Sequence, residues 1–278
     1  MKTPNYAKLW SDSFQNGAGT MRQYQAEASA RAYDSSRKIW EDGFRRAAEL
    51  PFTKEDTVLD IGCGPGVLAI PLAPRVRSVI MLDPSKAMLR LAEAHAGARE
   101  LTNLTSVNET WEEADPARLG RVDYAIASYS LAMPDLGAAI AKMNAVARKG
   151  VYLYWFNGMT TWEKIAADLR PVIYGEAAPA RPKSDIIYGL LSQMGISADV
   201  KDLEGTAFDK EFPDRAAALM DLRGRLKLDT DRFDPILNDY LDKAGIYAPE
   251  NGKWYYRDKT KYVCLSWKTA PGGKKEAC

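Results

Sequence analysis

Apolar residues between positions 57 and 156 follow two alternating periods. Short runs rich in β-branched and aromatic residues have the composition of strands, and the stretches between them repeat apolar residues every three or four positions, as helices do. The strand-like runs are DTVLDI, SVIMLD, LTSVNE, VDYAIAS and GVYLYWF, and the helical stretches are VLAIPLA, PSKAMLRLAEAHA and DLGAAIAKMNAVA. This alternation predicts an α/β fold in which helices cover both faces of a parallel sheet.

The segment before this core is helical in pattern. Aromatic residues recur from Tyr24 to Phe44 at intervals that predict one or two amphipathic helices, which end before Pro51. We therefore expect residues 1–50 to form a helical lid on a main domain that spans residues 51–268.

The alternation stops after residue 156. Prolines and glycines interrupt residues 157–195, whose last part, SDIIYGLLSQMG, is helical in pattern, so we predict a lid-like insertion beside the site. The run ISADVKDLEG is strand-like, two helices are predicted at about 213–228 and 232–245, and KWYYRDKTKYVCLSWK is predicted to form one last strand. The closing stretch 269–278, TAPGGKKEAC, has no apolar period and is predicted to be a flexible tail.

Charge and cysteine content exclude several classes of function. The 278 residues include 38 Lys and Arg against 37 Asp and Glu, so no nucleic-acid surface and no polybasic membrane anchor are expected, and a small or neutral partner fits better. No apolar run approaches the ~20 residues that cross a bilayer, and the first residues lack the apolar stretch of a secretory signal, which favours a cytoplasmic protein. Cys63, Cys264 and Cys278 lie far apart without nearby histidine partners, so neither a metal site nor a disulfide is expected.

The segment VLDIGCGPG, residues 58–66, carries the most specific chemistry. An apolar strand runs into Gly62, Gly64 and Gly66, and a helical stretch follows. Glycines permit positive φ and leave no Cβ in the way of a ligand, so this backbone can approach a cofactor at the carboxyl end of a central strand.

The pattern Asp-x-Gly-x-Gly-x-Gly, from Asp60 to Gly66, resembles the first motif of class I S-adenosylmethionine (SAM)-dependent methyltransferases. The order of elements from about residue 50 to residue 156 resembles their core, most closely over residues 57–90. The resemblance implies a three-layer Rossmann-like doubly wound sheet of seven strands, in the order 3-2-1-4-5-7-6, with a reversed last strand. It also implies SAM as the cofactor and S-adenosylhomocysteine as the product.

The resemblance assigns cofactor contacts to the glycine turn, including Cys63, and to the ends of the first two strands. Asp60 would reach the methionyl ammonium, directly or through water. Asp83, which ends SVIMLD, would bind the ribose hydroxyls beside Pro84, although Asp83-Pro84-Ser85 is equally typical of a helix start. Met88 would pack on the adenine, with core packing as the alternative.

Two further segments match the family less closely. In LTSVNETWEEAD, Thr110 stands where the family has an acidic residue that binds the adenine edge, between Glu109 and Trp111. All three are candidates for that contact, and Trp111 could instead pack against a helix. The fourth strand ends at Ser128 and Tyr129, which would line the pocket near the transferred methyl group.

Candidates for substrate contact and proton transfer complete the predicted site. Trp155 and Asn157, at the end of the fifth strand, are substrate candidates along with Tyr129. If a base is needed, Tyr129, Tyr24 and Tyr33 are the candidates, whereas His95, the one histidine, lies near the end of a helix where a surface role is usual.

The sequence therefore predicts a SAM-dependent methyltransferase that acts on a small molecule. The alternatives are a protein side-chain methyltransferase, a SAM-binding subunit or sensor without catalysis, and a nucleotide-dependent oxidoreductase. The typical oxidoreductase motif is Gly-x-Gly-x-x-Gly, whose third glycine comes one residue later than in this chain. The identity of the acceptor, the atom methylated and the oligomeric state are not readable from the sequence.

Overall fold

A seven-stranded sheet organises the computed structural model, which describes residues 4–15, 25–179, 181–203, 205 and 207–269. The first five strands of the sheet along the chain are parallel to one another. They are β1 (Thr57–Ile61), β2 (Ser78–Leu82), β3 (Leu104–Val107), β4 (Val122–Ser128) and β5 (Ala147–Asn157). The chain later adds β6 (Asp199–Leu203), and after three short strands of a second sheet it adds β10 (Lys261–Lys268).

The strand order is β3-β2-β1-β4-β5-β10-β6, and β10 runs antiparallel to both of its neighbours. Because β10 is the seventh strand of this sheet along the chain, the predicted order with a reversed last strand is confirmed. The first strand, TVLDI, is buried along almost its whole length, as expected for a parallel strand that is covered on both faces.

Helices cover both faces of the sheet. They are α1 (Tyr6–Gln15), α2 (Glu27–Asp34), α3 (Arg37–Glu49), α4 (Ala69–Leu72), α5 (Lys86–Gly97), α6 (Pro116–Leu119), α7 (Leu136–Val146) and α9 (Ser184–Gln193). Side chains of α1, α7 and α9 pack on one face, and those of α3, α4 and α5 pack on the other, which produces the three layers. Among the described residues, no helix is long and apolar enough to cross a membrane.

A second hydrophobic core defines what we call the small lobe. It joins α8 (Thr161–Tyr174), α10 (Arg215–Leu226) and α11 (Asp234–Lys243) to a three-stranded sheet of order β7-β9-β8. These strands are β7 (Lys210–Phe212), β8 (Tyr247–Glu250) and β9 (Lys253–Tyr256). The two predicted helices after residue 213 are present as α10 and α11, but the small sheet was not predicted. The rest of the described chain is called the large lobe.

The prediction of one strand over residues 253–268 is wrong. The chain leaves β9 at Tyr256 and enters β10 at Lys261, so it passes from the small sheet to the large one. Asp258 stabilises this crossing, because its carboxylate accepts hydrogen bonds from the N–H and hydroxyl of Thr260 and from the hydroxyl of Tyr262.

The segments proposed as lids lie in different parts of the fold. Helix α1 inserts Trp10 into the large core, where its indole N–H donates to the carbonyl of Met133 at 2.8 Å. Of residues 157–195, α8 belongs to the small lobe and α9 packs in the large core. Whether any of these segments moves as a lid stays a prediction, and the predicted tail lies outside the described residues beyond Thr269.

Candidate functional site

A cavity of about 800 Å³ lies at the carboxyl ends of β1, β2, β4 and β5, where the small lobe faces the sheet. This is the edge at which open α/β sheets bind their ligands. Pockets for small ligands typically span roughly 300–1,000 Å³, so the space is large enough for a nucleoside cofactor and a small second ligand.

The turn after β1 is formed by glycines with left-handed backbone. Gly62, Gly64 and Gly66 have φ angles of +69°, +57° and +90°. A Cβ at Gly62 would lie 2.4 Å from the Cβ of Ser130, and one at Gly66 would lie 2.8 Å from Cγ1 of Ile70, so packing requires both glycines. A Cβ at Gly64 would meet no atom within 4 Å. Gly64 therefore borders open space in the wall of the cavity, whereas Gly66 does not line it.

Cys63 lies between these glycines with a buried side chain and lines the cavity. Burial raises the pKa of its thiol well above the usual range. The group is therefore a neutral, small side chain at neutral pH, without the thiolate character of a nucleophile.

Asp60 presents a carboxylate with one unsatisfied oxygen at the end of β1. Its side chain lines the cavity and is 1% exposed, and its Oδ2 has no hydrogen-bond partner among the described residues. Burial raises the pKa of Asp60 to about 7, while the nearby charge of Arg46 opposes this and that of Asp83 adds to it. A buried acceptor without a donor is costly, so a ligand cation or a bridging water is the natural partner.

Asp83 follows β2 and also lines the cavity. Its Oδ2 accepts the N–H of Gly64 at 2.9 Å, its Oδ1 accepts the N–H of Ser85 at 2.8 Å, and burial raises its pKa. The N-cap of α5 is Ser85, whose hydroxyl accepts the N–H of Met88 at 3.2 Å. Because Ser85 takes the capping role, both Asp83 oxygens keep lone pairs for ligand hydroxyls.

The wall beyond Asp83 is partly apolar. Met88 is buried in the first turn of α5 and lines the cavity near Pro84. Met88 also packs with Ala30 and Tyr33 of α2, so its side chain has both a core contact and a cavity contact.

The segment after β3 is divided between the cavity and the surface. Thr110 and Trp111 line the cavity, but Thr110 also closes a turn with Glu113, and the indole N–H of Trp111 donates to the carbonyl of Ala139 at 3.1 Å. Glu109 does not line the cavity and pairs with Arg118. The packing alternative for Trp111 is therefore realised, and its buried side chain also lines the cavity.

Ser128, at the end of β4, is held by a residue that the sequence analysis did not single out. Arg46 of α3 donates to the Ser128 hydroxyl at 2.5 Å and to Oδ2 of Asp42 at 2.6 Å. The guanidinium is buried, lines the cavity and lies 4.9 Å from the ring centre of Tyr129. Arg46 therefore ties an N-terminal helix to the carboxyl edge of the sheet.

Tyr129 adopts a left-handed backbone conformation, with φ +57°, immediately after β4. Its ring stacks on Phe156 at 5.3 Å and lies 5.5 Å from the ring of Tyr262. Burial raises the pKa of Tyr129. The phenol is therefore protonated at neutral pH, which makes it better suited to donating a hydrogen bond than to removing a proton.

The other tyrosine candidates and His95 lie in separate places. Tyr33 lines the cavity from α2, whereas Tyr24 lies outside the described residues. His95 does not line the cavity, and its Nε2 is 2.7 Å from Oδ1 of Asp34 with the ring beside Trp40. Its environment is that of a helix-end residue, as expected.

Of the two substrate candidates on β5, one lines the cavity and the other does not. Trp155 lines the cavity, but its indole N–H donates to the carbonyl of Pro182 at 3.0 Å and its ring packs against Trp10. Asn157 does not line the cavity, since its amide contacts Asp202 at 3.4 Å and accepts from Ser184 at 3.2 Å.

Comparison with known sequences shows which family the central part of the chain is similar to. Residues 58–150 match the sequence family described as "Methyltransferase domain". This part of the chain thus matches a methyltransferase domain, and the sheet that contains it has the strand order that the resemblance to class I enzymes implies. The match begins in β1 and ends in β5, and so covers the glycine turn, Asp83 and Tyr129.

Relatives of the methyltransferase domain match over limited lengths. An uncharacterized protein of Haemophilus influenzae is 36% identical over 99 residues, which are 36% of this chain and 37% of that protein. The protein named "Probable S-adenosylmethionine-dependent methyltransferase CRG1" of Saccharomyces cerevisiae is 29% identical over 102 residues, which are 36% of this chain and 35% of that one. The chain therefore spans about a third of the length of these curated relatives.

A solved structure extends the likeness in fold. The cyclopropane-fatty-acyl-phospholipid synthase-like protein of Lactobacillus casei is 17% identical, with a TM-score of 0.55, and the alignment covers 94% of this chain and 98% of that one. At this identity the likeness concerns the fold alone.

Several cavity residues next to the methyltransferase domain were missed from sequence. Trp162, Phe208 and Arg225 line the cavity, although each is distant along the chain from the glycine turn. No local pattern marks them, because their position depends on how the small lobe packs on the sheet. For Arg46, the (i, i+4) spacing from Asp42 was the one available signal, and that spacing is also common on solvated helices.

Proposed function

We propose that this protein is a SAM-dependent methyltransferase that acts on a small-molecule acceptor. The observation that carries the proposal is the buried Oδ2 of Asp60, which has no hydrogen-bond partner among the described residues and shares its cavity with Gly64, a glycine that borders open space. A ligand with a cationic amino group and a bulky neighbouring part would satisfy the carboxylate and occupy that space.

The residues present fit this cofactor. Asp60 would hold the methionyl ammonium, Asp83 would accept hydrogen bonds from the two ribose hydroxyls, and Met88 would contact the adenine face. The backbone of Gly62 and Gly64 would lie against the nucleoside. When bound, SAM supplies an electrophilic methyl group whose transfer needs in-line approach of a nucleophile.

The chain's own residues would then position the acceptor and exclude water. Tyr129, Phe156 and Trp162 line the cavity on the side of β4, β5 and α8, where they offer an apolar surface to a second ligand. Alignment of two bound reactants can supply a large part of a rate enhancement without a dedicated base. A small molecule is favoured because the acceptor would have to fit between the two lobes.

Binding calorimetry tests the cofactor assignment. We expect the full chain to bind S-adenosylhomocysteine and SAM, and to bind nicotinamide adenine dinucleotide much more weakly. Transfer of label from methyl-labelled SAM to a metabolite extract then tests catalysis. Binding of the dinucleotide in place of both adenosyl ligands would overturn the proposal, and binding without any transfer would leave a SAM-binding protein that is not an enzyme.

The proton-transfer hypothesis for Tyr129 has its own test. Because burial raises the pKa of this phenol, we expect Tyr129→Phe to retain the shape of the pH profile of kcat/KM, whatever its effect on KM. Loss of one limb of the profile would instead assign proton removal to Tyr129.

A further inference from the structure

The half of the cavity that faces the small lobe has an aromatic wall. The rings of Trp162 and Phe156 meet edge to face at 5.1 Å, and those of Trp162 and Phe208 meet at 5.3 Å. Phe156 belongs to β5 and also stacks on Tyr129, so the wall continues from the sheet to α8. A planar or apolar body could pack along these rings.

Basic side chains predominate on the same half of the cavity. Those that line it are Arg170, Arg181, Lys183, Arg225 and Lys227. Among the described lining residues from α8 onward, Glu163 is the one acid. The acceptor side of the cavity therefore has a positive character, although the whole chain is nearly neutral.

Two of these cations are already neutralised. Lys183 pairs with Glu163, whose carboxylate also accepts the N–H and hydroxyl of Thr160 in a capping box. Arg225 pairs with Asp221 at 2.6 Å and lies against the ring of Tyr256. Both are structural contacts that need no ligand.

The remaining three basic side chains, Arg170, Arg181 and Lys227, can bind a ligand. Arg181 and Lys227 form no ion pair with any described residue, and the one acidic partner of Arg170 is Glu176, a residue on the exposed turn after α8. The hydroxyl of Tyr174 donates to the carbonyl of Leu226 at 2.6 Å, which joins the end of α8 to the end of α10. Arg170 lies over the Tyr174 ring at 5.0 Å and Lys227 follows Leu226, so this bond links the two segments that carry these cavity-lining cations.

We propose that the methyl acceptor carries an anionic group, a carboxylate or a phosphate, that binds Arg170, Arg181 and Lys227. Its planar or apolar part packs against the aromatic wall, which places the nucleophile toward the glycine turn. Guanidinium groups present paired N–H donors that match the oxygens of such anions. This inference rests on the proposed methyltransferase function and specifies its substrate class.

Ion-exchange fractionation of candidate acceptors tests directly whether the acceptor is anionic. A metabolite extract of the source cells is passed over a strong anion exchanger at pH 7, and the flow-through and salt eluate are each incubated with the full chain and methyl-labelled SAM. We expect label to enter compounds of the eluate. Label confined to compounds of the flow-through would overturn the inference.

A paired variant locates the charge recognition. Arg170→Gln with Lys227→Gln is expected to raise KM for the eluate fraction by about tenfold or more, with kcat changed little, because two charge-assisted contacts are lost. The control is Arg232→Gln with Lys243→Gln, which makes the same change of charge on the small lobe away from this cavity. An unchanged KM in the first pair, or an equal rise in the control, would overturn the inference.

These experiments distinguish a failure of the proposed function from a failure of the anionic-acceptor inference. If calorimetry finds no binding of S-adenosylhomocysteine, or if it binds and no fraction accepts label, the proposed function itself fails. If the cofactor binds and neutral compounds are methylated, only the anionic acceptor fails. A carboxylate and a phosphate are separated by treating the eluate with phosphatase before the reaction, since loss of label then identifies the phosphate.

Discussion

The Asp60 carboxyl group changes its charge near neutral pH. Its pKa is raised to about 7 because the carboxylate is buried without a full set of donors. Since the folded-state pKa lies above the ordinary value, Asp60 makes folding less favourable as pH rises from about 4 to about 7. The same group would become a better partner for a cation over the upper part of that range.

We therefore predict that the affinity for S-adenosylhomocysteine rises with pH between 5.5 and 8, because only ionised Asp60 attracts the ligand ammonium. Below about pH 7 the gain approaches tenfold per unit, as expected for a single titrating group. Calorimetry across this range measures it, and Asp60→Asn should give weak binding with a flat profile.

His95→Gln is the matched control, since it removes the one histidine of the chain at a place outside the cavity. Its profile should match that of the unaltered protein. A flat profile in His95→Gln would assign the pH dependence to the histidine and would contradict the role of Asp60.

A substitution at Gly64 tests two separate effects, strain of the backbone and steric blocking of the ligand. We predict that Gly64→Ala weakens binding of S-adenosylhomocysteine by tenfold or more, because the new methyl group would take space beside the glycine turn that the nucleoside needs. The left-handed backbone should cost about 1 kcal/mol of stability. Calorimetry gives the affinity, and urea denaturation gives the free energy of unfolding.

Gly195→Ala provides the comparison for strain alone. Gly195 has φ +73°, a Cβ there would also meet no atom within 4 Å, and the residue lies in the turn after α9, outside the cavity. The two variants should lose similar stability, and only Gly64→Ala should lose affinity. Equal affinities in both would show that the space at Gly64 is not used by the ligand.

At the scale of elements, the charged side chain of Arg46 connects α3 to the end of β4 by a hydrogen bond. Arg46 is buried between Asp42 of its own helix and Ser128 of the strand. A buried ion pair contributes little net stability compared with apolar packing, but removing one partner leaves the other charge uncompensated. The position of β4 beside the glycine turn thus depends on an N-terminal helix.

We predict that Arg46→Met lowers the free energy of unfolding by about 3–5 kcal/mol, the range for a broken buried pair. The double variant Asp42→Asn with Arg46→Met should recover part of that loss, because it no longer leaves a buried carboxylate whose Oδ2 has lost its donor while only Oδ1 stays paired, with Arg45. Urea denaturation of the three proteins measures both values. A double variant that is less stable than the single one would contradict this reading of the pair.

Helix α8 illustrates how one element can serve both packing and the site. Its capping box uses Thr160 and Glu163, and Ile165 and Leu169 pack into the small-lobe core. Trp162 and Arg170, on the same helix, line the cavity. A change in the orientation of α8 would therefore move an aromatic wall residue and a cation together.

At the scale of the whole molecule, the two lobes have separate hydrophobic cores and share the cavity. The chain passes between them near residues 157–161, 174–184, 203–210 and 256–261. Polar side chains hold the first and last of these crossings together, since Thr260 accepts the N–H of Thr161 at 3.0 Å.

This arrangement predicts that cofactor binding protects both lobes. On addition of S-adenosylhomocysteine, hydrogen exchange should slow in the glycine turn, in α2 and in α8, because a filled cavity restrains all its walls. Helix α11, away from the cavity, should change little. Protection confined to the glycine turn would count against closure of the lobes and of the N-terminal helices.

The elements of the large sheet were predictable because they depend on local patterns. Apolar runs such as TVLDI and SVIML identify buried strands by themselves, and the spacing from Gly62 to Gly66 identifies the turn that follows the first of them. The strand order came from resemblance to a family, and the sheet confirms it. Residues 253–268 were misjudged, because a bend held by Asp258 depends on side-chain hydrogen bonds that an apolar pattern does not record.

What the sequence determined by itself is the central α/β architecture, the glycine turn and the acid at the end of β2, since each follows from contacts between near neighbours in the chain. Only the tertiary structure decided that Ser85 and not Asp83 caps α5, that Arg46 reaches Ser128, and that Phe208 and Arg170 line the same cavity as Asp60. The Ser85 cap is itself local, but it leaves Asp83 to bind the N–H of Gly64, 19 residues away. The other contacts join residues still farther apart in sequence, and they exist because packed cores bury their apolar faces and so bring distant side chains to a shared edge.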